Sequence, residues 1–184
     1  MERLSTRLAY PSELPTIIAL SSRVQATLTS QGSLQLIGPL EYHVVEAAIA
    51  EARLFIATLP SGTSADPNPI IGVAFIKPVS RSHFPIVTLS PDFPQLRDHP
   101  EPWWYMHSLM LDPEYQSQGL GRKLFEDVVA FIRTVGFGEG TLFIDCWAGS
   151  EGLRNFYTRC GCQVVIVVPK ETWEVAVFAF PLKL

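Results

Sequence analysis

LMLDPEYQSQGLGRKLFEDVV, residues 109–129, decides how the rest of the chain is read. It opens as the end of a β-prone run (WWYMHSLMLD, 103–112) and turns at Pro113. It then passes through Gln116-Ser117-Gln118-Gly119-Leu120-Gly121-Arg122 into a helix. That helix, 119–135, puts Leu120, Leu124, Val128, Phe131 and Val135 on one stripe and points Lys123, Glu126, Asp127 and Arg133 away from it. Gly136 suits the residue just past its end. The two glycines let the backbone turn tightly, and amides at a helix start carry the positive end of the macrodipole outward. Such a turn is an anion site: a pyrophosphate fits across the amides of Gln118 through Arg122, with Arg122 or Lys123 adding charge. An ordinary strand-to-helix connection uses the same residues, so the glycine pair alone leaves both readings open.

Upstream, a short strand at 5–8 precedes a helix that opens in the 11–15 region. Leu14, Ile17, Ile18, Ser21, Val24 and Leu28 keep its spacing, and Gln31-Gly32-Ser33 closes it. A second helix covers 40–51. Residues 53–59 (RLFIATL) and 70–76 (IIGVAFI) are strands joined by the turn-forming PSGTSADPNP, hence antiparallel. Residues 78–102 form a long excursion with a short strand at 86–89, and loops of that length are usually functional. Downstream come a strand at 141–147, a helix at 150–159, and strands at 163–168 and 172–180 about a Pro169-Lys170-Glu171 turn. The order β-α-α-β-β-β-α-β-α-β-β predicts an α+β fold, layered α/β/α, with a mixed, mostly antiparallel sheet of six to seven strands. The helix at 119–135 makes a right-handed crossover between parallel neighbours. One domain over 1–184 is expected.

Other phosphate motifs fit less well. A dinucleotide fingerprint needs a glycine three residues after Gly121, where Leu124 stands, and no Gly-Lys-Ser/Thr exists for a Walker loop. The alternate glycines Gly136, Gly138 and Gly140 follow a helix and read as cap and loop. The motif Gln116-x-x-Gly119-x-Gly121 resembles the coenzyme A signature Arg/Gln-x-x-Gly-x-Gly/Ala of the GNAT superfamily of acyl-CoA-dependent N-acyltransferases, and it lies between the fourth strand and the third helix as in that family. Asn155-Phe156-Tyr157-Thr158-Arg159-Cys160-Gly161-Cys162 resembles the family's Phe-Tyr-x-x-x-Gly-Phe helix end, with Cys162 in place of the phenylalanine. The element order agrees with the family over nearly the whole chain.

The resemblance implies a GNAT-like fold whose sheet splays between the fourth and fifth strands. It also implies transfer of an acetyl group from acetyl-CoA to a primary amine of a small molecule or peptide, by direct attack in a ternary complex. Backbone groups of Leu109, Met110 and Leu111 would pair with the pantetheine arm. Gln116, Ser117, Gln118, Gly119, Leu120, Gly121, Arg122 and Lys123 would bind the cofactor, with the amides of Gln118 through Arg122 holding the pyrophosphate. Tyr157 matches the tyrosine that protonates the leaving thiolate, and His107 matches a histidine base of arylalkylamine-type members. Tyr105 stands where other members carry a glutamate base. Ser150 replaces a common asparagine that contacts the cofactor or nearby backbone, and it suits a helix N-cap as well. The other reading of the same motifs is a GNAT-like module that binds acyl-CoA without transferring the acyl group.

Composition narrows the classes. With 184 residues, net charge −4 and 47% hydrophobic content, the chain is globular and lacks the basic footprint of a nucleic-acid binder. No apolar run reaches membrane-span length, and MERLSTRLAYPSELP has no signal-peptide pattern, so no membrane partner and a cytoplasmic location are expected. Cys146, Cys160 and Cys162 read as reduced thiols, and their spacing with His107 is poor for zinc, so no metal is expected. Ala148-Gly149-Ser150-Glu151-Gly152 approaches a nucleophile elbow, but the last histidine is His107, upstream of it. Trp103, Trp104, Phe84, Phe93 and Trp173 offer an aromatic wall on the acceptor side or fill the core. A monomer or homodimer is expected.

Overall fold

The computed structural model describes residues 4–60, 68–80, 84, 96, 98–135, 139–169 and 172–183. The predicted strand at 86–89, Phe93, Gly136, the Lys170-Glu171 turn and most of the 60–69 loop lie outside them. Among the described residues are seven strands: β1 (Ser5–Leu8), β2 (Leu54–Thr58), β3 (Ile70–Val79), β4 (Trp103–Leu111), β5 (Thr141–Trp147), β6 (Gln163–Pro169) and β7 (Glu174–Pro181). Four α-helices accompany them: α1 (Leu14–Ser30), α2 (Tyr42–Ala50), α3 (Leu120–Val135) and α4 (Glu151–Arg159). The strand order is β1-β2-β3-β4-β5-β7-β6. The pair β4–β5 is parallel, while β1–β2, β2–β3, β5–β7 and β6–β7 are antiparallel. The α+β class and mixed sheet expected from the sequence are therefore present. β3 outlasts its expected end and carries Pro78, since a strand position that donates no ladder bond tolerates proline.

By contacts the chain divides into two compact units, Met1–Phe75 with Ser108–Val128, and Ile76–His107 with Val129–Leu184. In the first, α1 buries Ile17, Leu20 and Val24, and α2 buries Val45 and Ala48. Both pack on Leu54 and Ile56 of β2, Val73 and Phe75 of β3, and Met110 of β4. Each fully buried aliphatic side chain contributes about 1.5–3 kcal/mol, so this face holds both helices down. Polar groups of α1 tie the following connection: Gln25 Oε1 accepts the Ile37 and Gly38 amides at 2.9 and 3.1 Å, and Ser21 Oγ accepts that of Leu40 at 3.0 Å. Gly72 lets β3 approach β4, since a Cβ there would lie 2.6 Å from Leu111 Cδ2 and 2.9 Å from the Met110 carbonyl oxygen.

In the second unit, Trp103 and Tyr105 of β4, Phe143 of β5 and Val175, Val177 and Ala179 of β7 form one apolar face. α3 contributes to both units, burying Leu124, Phe125 and Val128 in the first and Val129 and Ile132 in the second; Val135, expected on the same stripe, is exposed. The stripe tracks 3.6 residues per turn, which drifts away from a strict four-residue step.

Candidate active site

All of the residues expected to hold the cofactor except Ser150 lie in the first unit. β4 carries Ser108 at φ 52°, a left-handed residue within a strand, just before Leu109, Met110 and Leu111. Met110 is buried in the apolar core, so only its backbone can face a ligand. At the strand end Asp112 does two jobs. One carboxylate oxygen takes the Arg23 guanidinium of α1 at 2.6 and 3.0 Å, and the other accepts the Glu114 amide at 3.3 Å, opening a 3₁₀ turn over Pro113–Tyr115. The glutamines shape the loop. Gln116 Nε2 donates to the Leu111 carbonyl and Gln118 Nε2 to the Glu114 carbonyl, both at 3.1 Å.

Ser117 and Gly119 take left-handed conformations, φ 62° and 80°, and this double reversal delivers the chain into α3. Residues 116–119 are exposed, and the space where a Gly119 side chain would stand is open. The first helical bond at this end runs from the Lys123 amide to the Gly119 carbonyl, at 3.2 Å. The amides of Leu120 and Gly121 precede it and have no acceptor within the helix. An exposed start to a 16-residue helix, with amides that have no acceptor within the helix, is the geometry that suits a pyrophosphate. The two cations beside it are engaged along the helix: Arg122 Nε pairs with Glu126 at 2.8 Å, and Lys123 pairs with Asp127, which also accepts the Thr6 hydroxyl at 2.8 Å. Exposed pairs of this kind are weak, so Arg122 is released at little cost.

The residues expected to carry chemistry lie in the second unit. Ser150 is the N-cap of α4, its Oγ accepting the Leu153 amide at 3.3 Å, so the cap seen as one option in the sequence is formed. Tyr157 is the buried residue of α4 and packs on Phe178 at 5.4 Å between ring centroids. Burial first, then the neighbouring Cys146, Asp145, Cys162 and Cys160, holds its phenol well above the ordinary value of 10.0, so the hydroxyl keeps its proton. Burial also pushes the Cys146 and Cys162 thiols up to about 12. All three cysteines are free.

The β4–β5 ladder joins Trp103–Met106 to Thr141–Ile144 and stops there, so His107 and Asp145 are the first residues past its end. His107 is half-buried and stacks on Tyr105, 5.6 Å between centroids and 20° between planes. The Tyr105 hydroxyl donates to Asp145 Oδ1. Burial, then the charge of Asp145, keeps the Tyr105 phenol well above 10.0 and therefore neutral.

The Tyr105–Asp145 pair has no counterpart among the residues singled out in the sequence. Its members are 40 residues apart and are joined only by the parallel ladder. The single signal available was an acid ending the otherwise apolar run TLFI. Of the expected aromatic wall, Trp103 is buried in the core and donates to the His99 carbonyl at 3.2 Å. Phe84 packs on Trp103, Tyr105 and Phe143, and Trp173 packs on the same core cluster. Trp104 remains half-buried, with its indole N–H buried and without a hydrogen-bond partner among the described residues.

No group of three or more His, Cys, Asp or Glu among the described residues is arranged to hold a metal, and none of the described helices is long and apolar enough to cross a membrane.

Comparison with solved structures supports the fold. The ribosomal-protein-S18-alanine N-acetyltransferase of Escherichia coli is 15% identical with a TM-score of 0.66, covering 99% of this chain and 96% of that one. NAA60 of Arabidopsis thaliana in complex with a bisubstrate analogue is 15% identical with a TM-score of 0.70, covering 97% and 99%. A NatC complex bound to Gag peptide and CoA, 14% identical, has a TM-score of 0.66 and covers 97% and 98%. A search of curated proteins finds no match. The family model described as Acetyltransferase (GNAT) family matches residues 42–162, two elements short of either end of the fold and spanning both the loop at 116–122 and Tyr157. The chain belongs to the GNAT acetyltransferase family.

Proposed function

We propose that the protein transfers an acetyl group from acetyl-CoA to a primary amine of a small molecule or peptide, by direct attack in a ternary complex. The observation that carries this reading is the exposed turn at 116–119, whose left-handed Ser117 and Gly119 present the amides opening α3 as a phosphate cradle. In this reading Gln116, Ser117, Gln118, Gly119, Leu120, Gly121, Arg122 and Lys123 bind acetyl-CoA, the amides of Gln118 through Arg122 holding its pyrophosphate, and the backbone of Leu109, Met110 and Leu111 pairs with its pantetheine arm. Ser150 caps α4 with its Oγ and contacts the cofactor with the hydroxyl proton that the cap leaves available. The relatives support the donor: NAA60 of Arabidopsis thaliana has been solved with acetyl-CoA, and the NatC complex with CoA and a peptide.

The chemistry assigned to the side chains is proton transfer. His107 takes a proton from the incoming ammonium, giving the neutral amine that attacks the thioester carbonyl. As the C–N bond forms and the C–S bond breaks, Tyr157 gives its proton to the departing thiolate. The second amine proton leaves as the amide forms and restores Tyr157, by way of water. Amine cation and thioester thus yield amide, free thiol and one proton released from His107. We place this activity in the cytoplasm, in a monomer or homodimer, and the three free thiols support a reducing compartment. The test is thiol release from acetyl-CoA in the presence of a mixed panel of primary amines. Turnover raised by an amine is the expected result. Acetyl-CoA bound at micromolar affinity with no amine raising turnover would make the protein a binding module instead.

A further inference from the structure

Among the described residues Asp112 is the one buried carboxylate, 8% exposed, and it stands just before the turn at 116–119. Its main chain is pinned on both sides: the amide donates to the Ile71 carbonyl of β3 at 2.8 Å, and the carbonyl accepts the Tyr115 amide at 2.9 Å. Its Oδ1 accepts the Glu114 amide, while the Leu111 and Glu114 carbonyls receive the side chains of Gln116 and Gln118. The turn therefore hangs on the segment 111–114, and that segment hangs on Asp112. A buried carboxylate keeps such a place only when hydrogen bonds or a cation offset its desolvation. The Glu114 amide, at 3.3 Å, is a long hydrogen bond and the smaller share of that compensation. The larger share is Arg23, whose Nε and one terminal nitrogen both donate to Oδ2, at 3.0 and 2.6 Å. Arg23 is itself held in place. α1 is packed through Ile17, Leu20 and Val24, and the buried Ser21 and Gln25 on either side of Arg23 bond to the connection that follows the helix.

We propose that Arg23 is a positioning residue for cofactor binding: by neutralising Asp112 it keeps that carboxylate seated at the root of the 3₁₀ turn over Pro113–Tyr115, and so fixes the 116–119 turn in the shape that receives the pyrophosphate of CoA. Arg23 acts through Asp112, and what the site asks of it is charge rather than volume. Arg23→Gln leaves a buried carboxylate without its cation, which drives Asp112 toward water and away from the Glu114 amide. It also leaves an uncompensated negative charge beside the site of a polyanion. Asp112→Asn accepts the same amide and needs no cation, so it should undo the damage. The inference rests on the reading of 116–123 as the CoA site for its meaning, while the hold of Arg23 on the turn is measurable without ligand.

The experiment measures CoA binding by calorimetry for the wild type, Arg23→Lys, Arg23→Gln and the double variant Arg23→Gln with Asp112→Asn. The backbone amide NMR signals of Gly119 and Gly121 are recorded for the same four proteins without ligand. Arg23→Gln is expected to bind CoA about tenfold more weakly, and the double variant to return within about twofold of the wild type. Arg23→Lys, which keeps the charge and loses the fork of donors, should stay within about threefold. The two glycine signals should shift in Arg23→Gln and return in the double variant. With an amine that supports turnover, Arg23→Gln should raise KM for acetyl-CoA about tenfold and leave kcat within about twofold. A role confined to packing would make the double variant at least as weak as Arg23→Gln, and that result, or a loss that falls in kcat, overturns the proposal. CoA bound equally by wild type and Arg23→Gln sustains the cofactor reading and removes Arg23 from it. A wild type that binds no CoA removes the cofactor reading instead. The glycine signals then decide the hold on the turn: shifted and restored they sustain it, unmoved they overturn it.

Discussion

At the residue scale, proton placement distinguishes the two buried tyrosines from each other. Both phenols are held neutral by burial, but Tyr105 spends its proton on Asp145, whereas Tyr157 lies among thiols on the opposite strand face. A phenol that keeps its proton near neutrality is a donor for a departing thiolate. Tyr157→Phe is therefore expected to lower kcat by about a hundredfold, the scale of a lost general acid, with acetyl-CoA affinity and thermal stability close to wild type. Steady-state kinetics beside a CoA titration checks this, and unchanged kcat removes Tyr157 from the chemistry. The cysteines around it give a second expectation. Cys146 and Cys162 are buried, with their thiols pushed up to about 12, while Cys160 is half-buried. At pH 8 native protein treated with iodoacetamide should therefore be alkylated at Cys160 first, and at all three positions once unfolded. Peptide mapping by mass spectrometry reads out the order.

At the element scale, the connection from β4 to α3 is held by side chains and offers its backbone. Gln116 and Gln118 bond to main-chain carbonyls, and Asp112 anchors the strand end to Arg23. Gly119 has φ 80°, which an L residue adopts at about 1–2 kcal/mol, although open space surrounds it. Gly119→Ala should thus weaken acetyl-CoA binding severalfold with a small loss of stability, and a bulky residue at Gly121 should abolish binding; calorimetry with CoA measures both. Gly72 behaves differently, because its neighbours are Leu111 and the Met110 carbonyl. Gly72→Val should lower stability by about 1–3 kcal/mol through overpacking, as read by urea unfolding.

These cases also show what was legible in the chain. Periodicity and turn residues located β1 at Ser5–Leu8 and β5 at Thr141–Trp147 to the residue, and α3 to within one, since local propensity and burial agree there. The tight turn at 116–119 was legible because glycine spacing encodes backbone shape. Gly72, Asp112 and Asp145 were not: their roles come from partners 39, 89 and 40 positions away, brought near by strand pairing and helix packing that no local pattern records.

At the scale of the molecule, a net charge of −4 is modest, and the buried thiols and phenols that resist ionisation lie in the second unit. Tyr105, Cys146, Tyr157 and Cys162 all hold their protons more tightly folded than in the ordinary state, chiefly through burial. The sign follows from linkage. Below the ordinary thiol value of 9.0 both folded and unfolded thiols are protonated, and the shift has no effect on the pH slope. Between 9.0 and about 12 the unfolded thiols ionise while the folded ones do not, so the unfolded state gains and stability falls. Each such group contributes at most about 1.4 kcal/mol per pH unit in that window, and the tyrosines join above their ordinary 10.0. Urea unfolding at pH 7.5, 9 and 10.5 should therefore show little change over the first step and a loss of several kcal/mol over the second. Replacing Cys162 with alanine should flatten the second step even though it lowers stability at pH 7.5, because the removed thiol no longer distinguishes the two states. A loss between pH 9 and 10.5 that is identical in Cys162→Ala and wild type would assign the alkaline sensitivity to other groups.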